Sequence, residues 1–223
     1  MRAEHIVYFD IDKTIINTPE IKNGFVAALA QELGISETAI ADLVTAYTTP
    51  LESSTDFDPE ALAQHIVENL LAKQATSEKL LQLIFDVIAP VVVFEEVVQV
   101  LEILARMPDV RLGIFSEGVR EWQEVKLKNS GLDVHFANEK LRGIYTRKLL
   151  SEVIAGLRPN SVVVDDKKQV VNAIAAQRLD VTAVWINRGD REPEAALHAS
   201  VLVITSLREL PDLANELWSE YPD

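Results

Sequence analysis

The chain of 223 residues has no cysteine. Disulfides, thiolate metal sites and a cysteine nucleophile are therefore excluded, and a reducing compartment is compatible. Basic residues are scarce: 21 Lys and Arg stand against 35 Asp and Glu, for a formal charge of −14. That balance argues against a nucleic-acid polymer or an anionic membrane as partner. A small anionic substrate stays open, because a metal or a nearby cation can reverse the field inside one pocket. No apolar run is long enough to span a bilayer. "MRAEH" leads straight into a strand-like run with no signal-peptide pattern, so the expected location is cytoplasmic. There is no internal repeat and no low-complexity tract. With 48% apolar and 25% charged residues, the chain reads as an ordinary globular protein.

"HIVYF" at 5–9 reads as a buried strand and ends in polar residues. The pattern then turns helical. Thr18-Pro19 suits a helix start, Ile21, Phe25, Leu29 and Leu33 form one stripe, and Gly34 stops it. Ser36 caps a second helix reaching Tyr47. After the polar loop "TTPLESSTDFDP", Asp58-Pro59 starts a third, carrying Leu62, Ile66, Leu70 and Leu71. Ser77 starts a fourth, ending before Pro90. Beyond it, Phe94 to Arg106 reads as helix, with "VVVF" at 91–94 as an alternative strand. "VRLGIF", "VHF", "SVVVDD", "VTAVWI" and "SVLVI" read as strands. Helices are expected at Val119 to Lys128, Lys148 to Leu157, Gln169 to Gln177 and Ser206 to Trp218, the last opened by a Ser206–Glu209 capping box. Strands alternating with helices imply an α/β fold with a Rossmann-like parallel sheet. The expected core is residues 1–16 and 91–223, with a four-helix insert at 17–90 after the first strand.

Four groups fall at predicted strand ends or helix starts: Asp10, Asp12 and Thr14; Ser116, Glu117 and Gly118; Lys148; and Asp165 with Asp166. In a parallel sheet these converge on one edge, where α/β proteins place their sites. Buried carboxylates need pairing, hydrogen bonds or a metal. One carboxylate can attack phosphorus, and a second can protonate the leaving oxygen and then activate water. Mg²⁺ suits a set of carboxylates, a carbonyl and water. Ser116 and the amides after it would hold phosphate oxygens.

"DIDKT", "GIFSEG", Lys148 and "VVVDD", in that order, resemble the haloacid dehalogenase superfamily of phosphohydrolases, and the insert resembles its cap of the first type. The resemblance covers most of the chain. It implies Asp10 as nucleophile and Asp12 as general acid/base. Thr14, Ser116, Glu117 and Gly118 would hold the phosphate, and Lys148 would screen it. The Asp10 side chain, the Asp12 carbonyl and an acid of the Asp165–Asp166 pair, Asp166 preferred, would bind Mg²⁺. An acid at position 12 is what phosphatase members carry and true dehalogenases lack, so the expected substrate is a small soluble phosphate monoester. Position 13 departs from the family: Lys13 stands where Gly or another small or polar residue is common. Arg147 and Lys140 compete with Lys148. A phosphotransferase or phosphomutase, or a non-catalytic binding protein, are the alternatives. A receiver domain fits poorly, since its paired acids follow the first strand.

Bland readings compete for each group. Asp10 and Asp12 could cap a strand end, Ser116 could be a turn serine, Lys148 a solvated residue, and Asp165–Asp166 the favourable acids of a helix start. The motif order outweighs these readings. His5, His65, His135 and His198 receive no role, and Trp122 and Trp185 read as packing residues.

Overall fold

The computed structural model describes residues 4–51, 57–70, 76–87, 91–189 and 197–219. Contacts gather the chain into two compact units. One comprises Met1–Ile16, Val93–Glu117 and Leu132–Asp223, and the other Asn17–Val92 and Gly118–Gly131. Among the described residues no helix is long and apolar enough to cross a membrane.

The strands are β1 (His5–Phe9), β2 (Val110–Glu117), β3 (Arg142–Tyr145), β4 (Ser161–Asp165), β5 (Val181–Ile186) and β6 (Leu202–Ile204). All belong to the first unit and form one sheet of order β3-β2-β1-β4-β5-β6, every pairing parallel. This is a Rossmann-like α/β core. The helices, in chain order, are α1 (Thr18–Leu33), α2 (Glu37–Thr48), α3 (Pro59–Asn69), α4 (Ser77–Val87), α5 (Val97–Arg106), α6 (Arg120–Asn129), α7 (Ser151–Ala155), α8 (Lys168–Gln177) and α9 (Leu210–Ser219).

The central strands read as near-continuous apolar runs because a parallel sheet is covered on both faces. Every residue of β4 is buried. Ile6, Tyr8, Val163, Ala183 and Trp185 pack with Ile154 of α7 and with Val170, Val171 and Ile174 of α8. Phe9, alternate to Tyr8, sets its ring edge against Phe136 at 6.1 Å. The strand order reverses between β1 and β4, and their carboxyl ends flank the switch point where such sheets open a crevice. Phe9 is level with both Ile114 and Val164, which brings Asp10 level with Asp165.

The second unit has its own apolar core. Phe25, Leu29, Ile40, Leu62, Ile66, Leu80 and Ile84 meet there. Its helices start and stop as their sequence implies. Gly34 takes a left-handed φ of 65° after α1. The Ser36 hydroxyl accepts from the Ala39 N–H at 3.2 Å, and the Asp58 carboxylate accepts from the Glu60 N–H at 2.8 Å. Trp122 of α6 packs against this core, its ring 5.5 Å from Phe57 and 5.6 Å from Phe85. It is a packing residue.

Several elements differ from the sequence reading. "VHF" is not a strand: Leu132–Phe136 is a 3-10 turn that buries both of its ends. The strand next to β2 is instead "RGIY", which its glycine and brevity concealed. The helix expected from Lys148 is only Ser151–Ala155, because Lys148 turns inward and Leu150 is extended. α5 starts at Val97, since Val93 bridges Ile16 and the Phe94 N–H reaches the Ile15 carbonyl. Asn17, not Thr18, precedes α1, with Pro19 in its first turn. Leu71, Ala89, Pro90, Glu52 and Asp56 lie outside the described residues.

Candidate active site

Asp10 leaves β1 with its N–H on the Val164 carbonyl at 3.0 Å. Its Oδ1 accepts from Lys148 Nζ at 2.8 Å and from Ser116 Oγ at 2.9 Å. Lys148 Nζ also meets Asp165 Oδ2 at 2.5 Å, and Asp165 Oδ1 accepts from the Lys167 N–H at 2.8 Å. Lys148 is fully buried, and its own N–H donates to Glu117 Oε2 at 3.2 Å. Of the three cations considered, Lys148 is thus the one at Asp10. Arg147 is half-exposed and approaches Glu117 at 3.9 Å, and Lys140 is exposed.

The loop after Asp10 is a tight turn. Ile15 and Ile16 both donate to the Ile11 carbonyl, and the Lys13 N–H donates to the Ile16 carbonyl at 2.9 Å. Asp12 is half-buried and Lys13 exposed. Lys13 sits at φ 58°, in the left-handed region that explains why a glycine suits this position. Thr14 is buried, and its Oγ1 has no hydrogen-bond partner. Asp10, Asp12, Thr14, Ser116, Glu117, Lys148, Asp165 and Asp166 all belong to the first unit; Gly118, at φ 137°, opens the stretch assigned to the second.

Carboxylate oxygens of Asp10, Asp165 and Asp166 lie within 4.8 Å of one another. Three carboxylates share one lysine, which leaves an excess of negative charge. Burial lifts the Asp166 carboxyl to about 8, and the charges of Asp10 and Asp165 push the same way. Burial also lifts Asp165, to about 6, although Lys148 opposes it. Burial would lower the Lys148 ammonium, but Asp10 and Asp165 outweigh that and raise it above its ordinary value. Asp166 Oδ1 is buried without a partner, whereas both Asp165 oxygens are occupied. Such a set fits a hard divalent cation, with Asp10 and Asp166 as the available side-chain ligands.

The sequence reading left out two contacts. Arg188 Nη2 donates to the Thr14 carbonyl at 2.6 Å, and Trp185 Nε1 donates to the Asp166 carbonyl at 2.9 Å. The available signal was position: both residues lie at the carboxyl end of "VTAVWI", on the same sheet edge as the acids.

The family model described as haloacid dehalogenase-like hydrolase matches residues 7–148, from β1 to the buried lysine. No curated protein sequence matches significantly. Solved structures share the fold. A haloacid dehalogenase-like hydrolase of Burkholderia xenovorans superposes with a TM-score of 0.71 at 20% identity, covering 97% of this chain and 99% of that one. The HAD-hydrolase YfnB of Bacillus subtilis, solved bound to magnesium, gives 0.62 at 15%, with 96% and 100% covered. An L-2-haloacid dehalogenase of Xanthobacter autotrophicus gives 0.59 at 14%, with 96% and 99% covered.

Proposed function

The chain belongs to the haloacid dehalogenase-like hydrolases, and from that premise we propose that it is a Mg²⁺-dependent phosphatase acting on a small phosphate monoester. The observation that carries this reading is the buried Asp10 carboxylate, oriented through Oδ1 by Lys148 and Ser116, with a second acid two residues on. Asp10 attacks phosphorus through its other oxygen. The phosphorus–oxygen bond to the leaving alcohol breaks, and Asp12 gives its proton to that oxygen. Asp12 then takes a proton from water, the resulting hydroxide attacks phosphorus, and the Asp10–phosphorus bond breaks to release phosphate. Asp10, Asp166 and the Asp12 carbonyl would hold Mg²⁺, which supplies neutralisation of phosphate charge when bound. Thr14, Ser116, Glu117 and Gly118 line the phosphate side in this reading, and Lys148 offsets charge on the nucleophile and the phosphate.

Retention of Asp12 favours phosphate esters over haloacids on chemical grounds. An alkoxide needs a proton to leave, whereas a halide leaves without one. Residues 17–90 would act as a cap of the first type that excludes water during turnover. The substrate would be a soluble cytoplasmic metabolite rather than a polymer or a membrane lipid.

The test is release of product from p-nitrophenyl phosphate and a metabolite-phosphate panel, with Mg²⁺ and with EDTA, beside chloride release from 2-chloropropionate. Phosphate release that needs Mg²⁺ and disappears in Asp10→Asn supports the reading. Chloride release without phosphate release would replace it with a dehalogenase.

A further inference from the structure

β5 contributes no acid to the site, yet its carboxyl end touches both acid-bearing loops. Arg188 follows β5 and forks between two partners. Nη1 pairs with Glu96 Oε1 at 2.5 Å, and Nη2 donates to the Thr14 carbonyl at 2.6 Å. Its guanidinium lies 3.7 Å from the centroid of the Phe94 ring. Glu96 is itself buried and also accepts from the Leu207 N–H at 3.4 Å. Phe94 donates to the Ile15 carbonyl, and its neighbour Val93 bridges Ile16. The guanidinium therefore joins the chain leaving the acid loop to the chain returning ahead of α5. Three residues earlier, buried Trp185 sends its indole N–H to the Asp166 carbonyl. One strand end thus donates one side-chain hydrogen bond to a backbone carbonyl in each acid-bearing loop.

We propose that Arg188 and Trp185 are positioning residues: Arg188 fixes the loop of Asp10, Asp12 and Thr14, and Trp185 fixes the turn of Asp165 and Asp166, so that β5 sets the distance between the carboxylates. The catalytic meaning of this assignment rests on the proposed phosphatase reading. The two hydrogen bonds to the loop carbonyls stand without it. A planar fork with two fixed donors and a stacked face is what arginine supplies and lysine does not. A ligand cluster has to be held to within a fraction of an ångström by groups that do not themselves react. Arg188 and Trp185 occupy those places without touching a carboxylate of the site.

The experiment is hydrogen–deuterium exchange of the metal-free protein, read by peptide, with Mg²⁺ affinity by calorimetry as the second readout. Arg188→Met combined with Glu96→Gln removes the part-buried pair as a whole and spares the fold the unpaired charge that one substitution alone would leave. That double variant is expected to speed exchange about tenfold in the peptide spanning 10–16 and to leave 161–168 unchanged. Trp185→Phe keeps a ring and loses the donor, and is expected to show the converse. Each should weaken Mg²⁺ binding about tenfold, and Arg188→Lys with Glu96 intact should recover only part of it. Unchanged exchange, exchange raised equally across the sheet, or unaltered Mg²⁺ affinity would each overturn the assignment. Exchange is read without substrate or metal, so an inactive wild-type enzyme would count against the phosphatase and leave this question decided by the peptides.

Discussion

Two cations, Lys148 buried and Arg188 partly buried, stand on the same sheet edge and do opposite things. Lys148, wholly buried, serves Asp10 and Asp165, with the Asp166 carboxylate beside them. Arg188 serves one carboxylate, Glu96, and one carbonyl, with an aromatic ring against its face. Around Lys148 negative charge is in excess, and Asp166 and Asp165 are pushed up to about 8 and about 6. Around Arg188 the charges pair one to one, although burial lowers the guanidinium more than Glu96 raises it. Burial alone would raise Glu96, but its own backbone N–H, Arg188 and the Leu207 N–H outweigh that and hold it below the usual range. An unbalanced cluster favours a further cation and a bound anion together. A balanced cluster fixes geometry.

The largest effect should come from striking the unbalanced cluster at its nucleophile. Asp10→Asn keeps an oxygen for Lys148 and Ser116, so the fold should hold while turnover falls by at least about 10³-fold. Phosphate release and a thermal melt check both halves of that expectation. Activity near wild type would remove Asp10 from the mechanism.

Next in size is the cation itself. Lys148→Met strands two buried carboxylates, a loss of about 3–5 kcal/mol, or roughly 6–20 °C in Tm for a chain of this length. Arg188→Met alone should do less, because it unpairs one carboxylate rather than two and the guanidinium it removes is only partly buried. Melting curves of the two variants side by side test the ranking, and equal losses would erase the distinction between the clusters.

The excess charge also sets a pH dependence. The Asp166 carboxyl titrates near 8 in the folded chain and at 3.8 when unfolded. Between those values the folded state holds a proton that the unfolded state has released. Metal-free stability should therefore fall as pH rises from about 4 to about 8, by up to about 1.4 kcal/mol per unit for one such group. Asp165 acts in the same direction over its narrower window, up to about 6. In EDTA, Tm should drop a few degrees per pH unit, and the increment on adding Mg²⁺ should grow with pH. Asp166→Asn should flatten the slope. A slope of opposite sign in wild type would contradict the burial and repulsion described for this carboxyl.

How legible these two clusters were in the sequence differs for a physical reason. Asp10, Asp165 and Asp166 ended apolar runs, so the parallel sheet alone put them on one edge. The resemblance named Lys148, but Arg147 and Lys140 competed with it, because what separates the three is burial, and burial is settled by the turn ahead of α7. Arg188 showed only its position past a strand end, and its partners did not show: Glu96 is 92 residues away, and the other partner is the Thr14 carbonyl, a group every residue has. Elements failed by the same logic. "VHF" has a strand's composition but closes a 3-10 turn, because Leu132 and Phe136 are both drawn into the core. "RGIY" has little strand character yet pairs with β2 from Ile114 to Glu117.

Lys13 offers the finest test of where local geometry yields to chemistry. At φ 58° a residue with a Cβ is strained by about 1–2 kcal/mol, while glycine there would lose some of that gain to the greater freedom of its unfolded chain. Lys13→Gly should therefore raise stability by about 0.5–1 kcal/mol, or roughly 1–4 °C in Tm. The turn bonds of Lys13, Ile15 and Ile16 are backbone bonds and survive the change. If Tm rises while KM for a phosphate ester also rises, the strained position is kept for its ammonium, an extra cation beside a cluster short of positive charge. If Tm rises and kinetics stay constant, the lysine does nothing for the site that glycine would not. A fall in Tm would show that the side chain's own contacts exceed the strain, and would place Lys13 with the balanced groups that hold the loop.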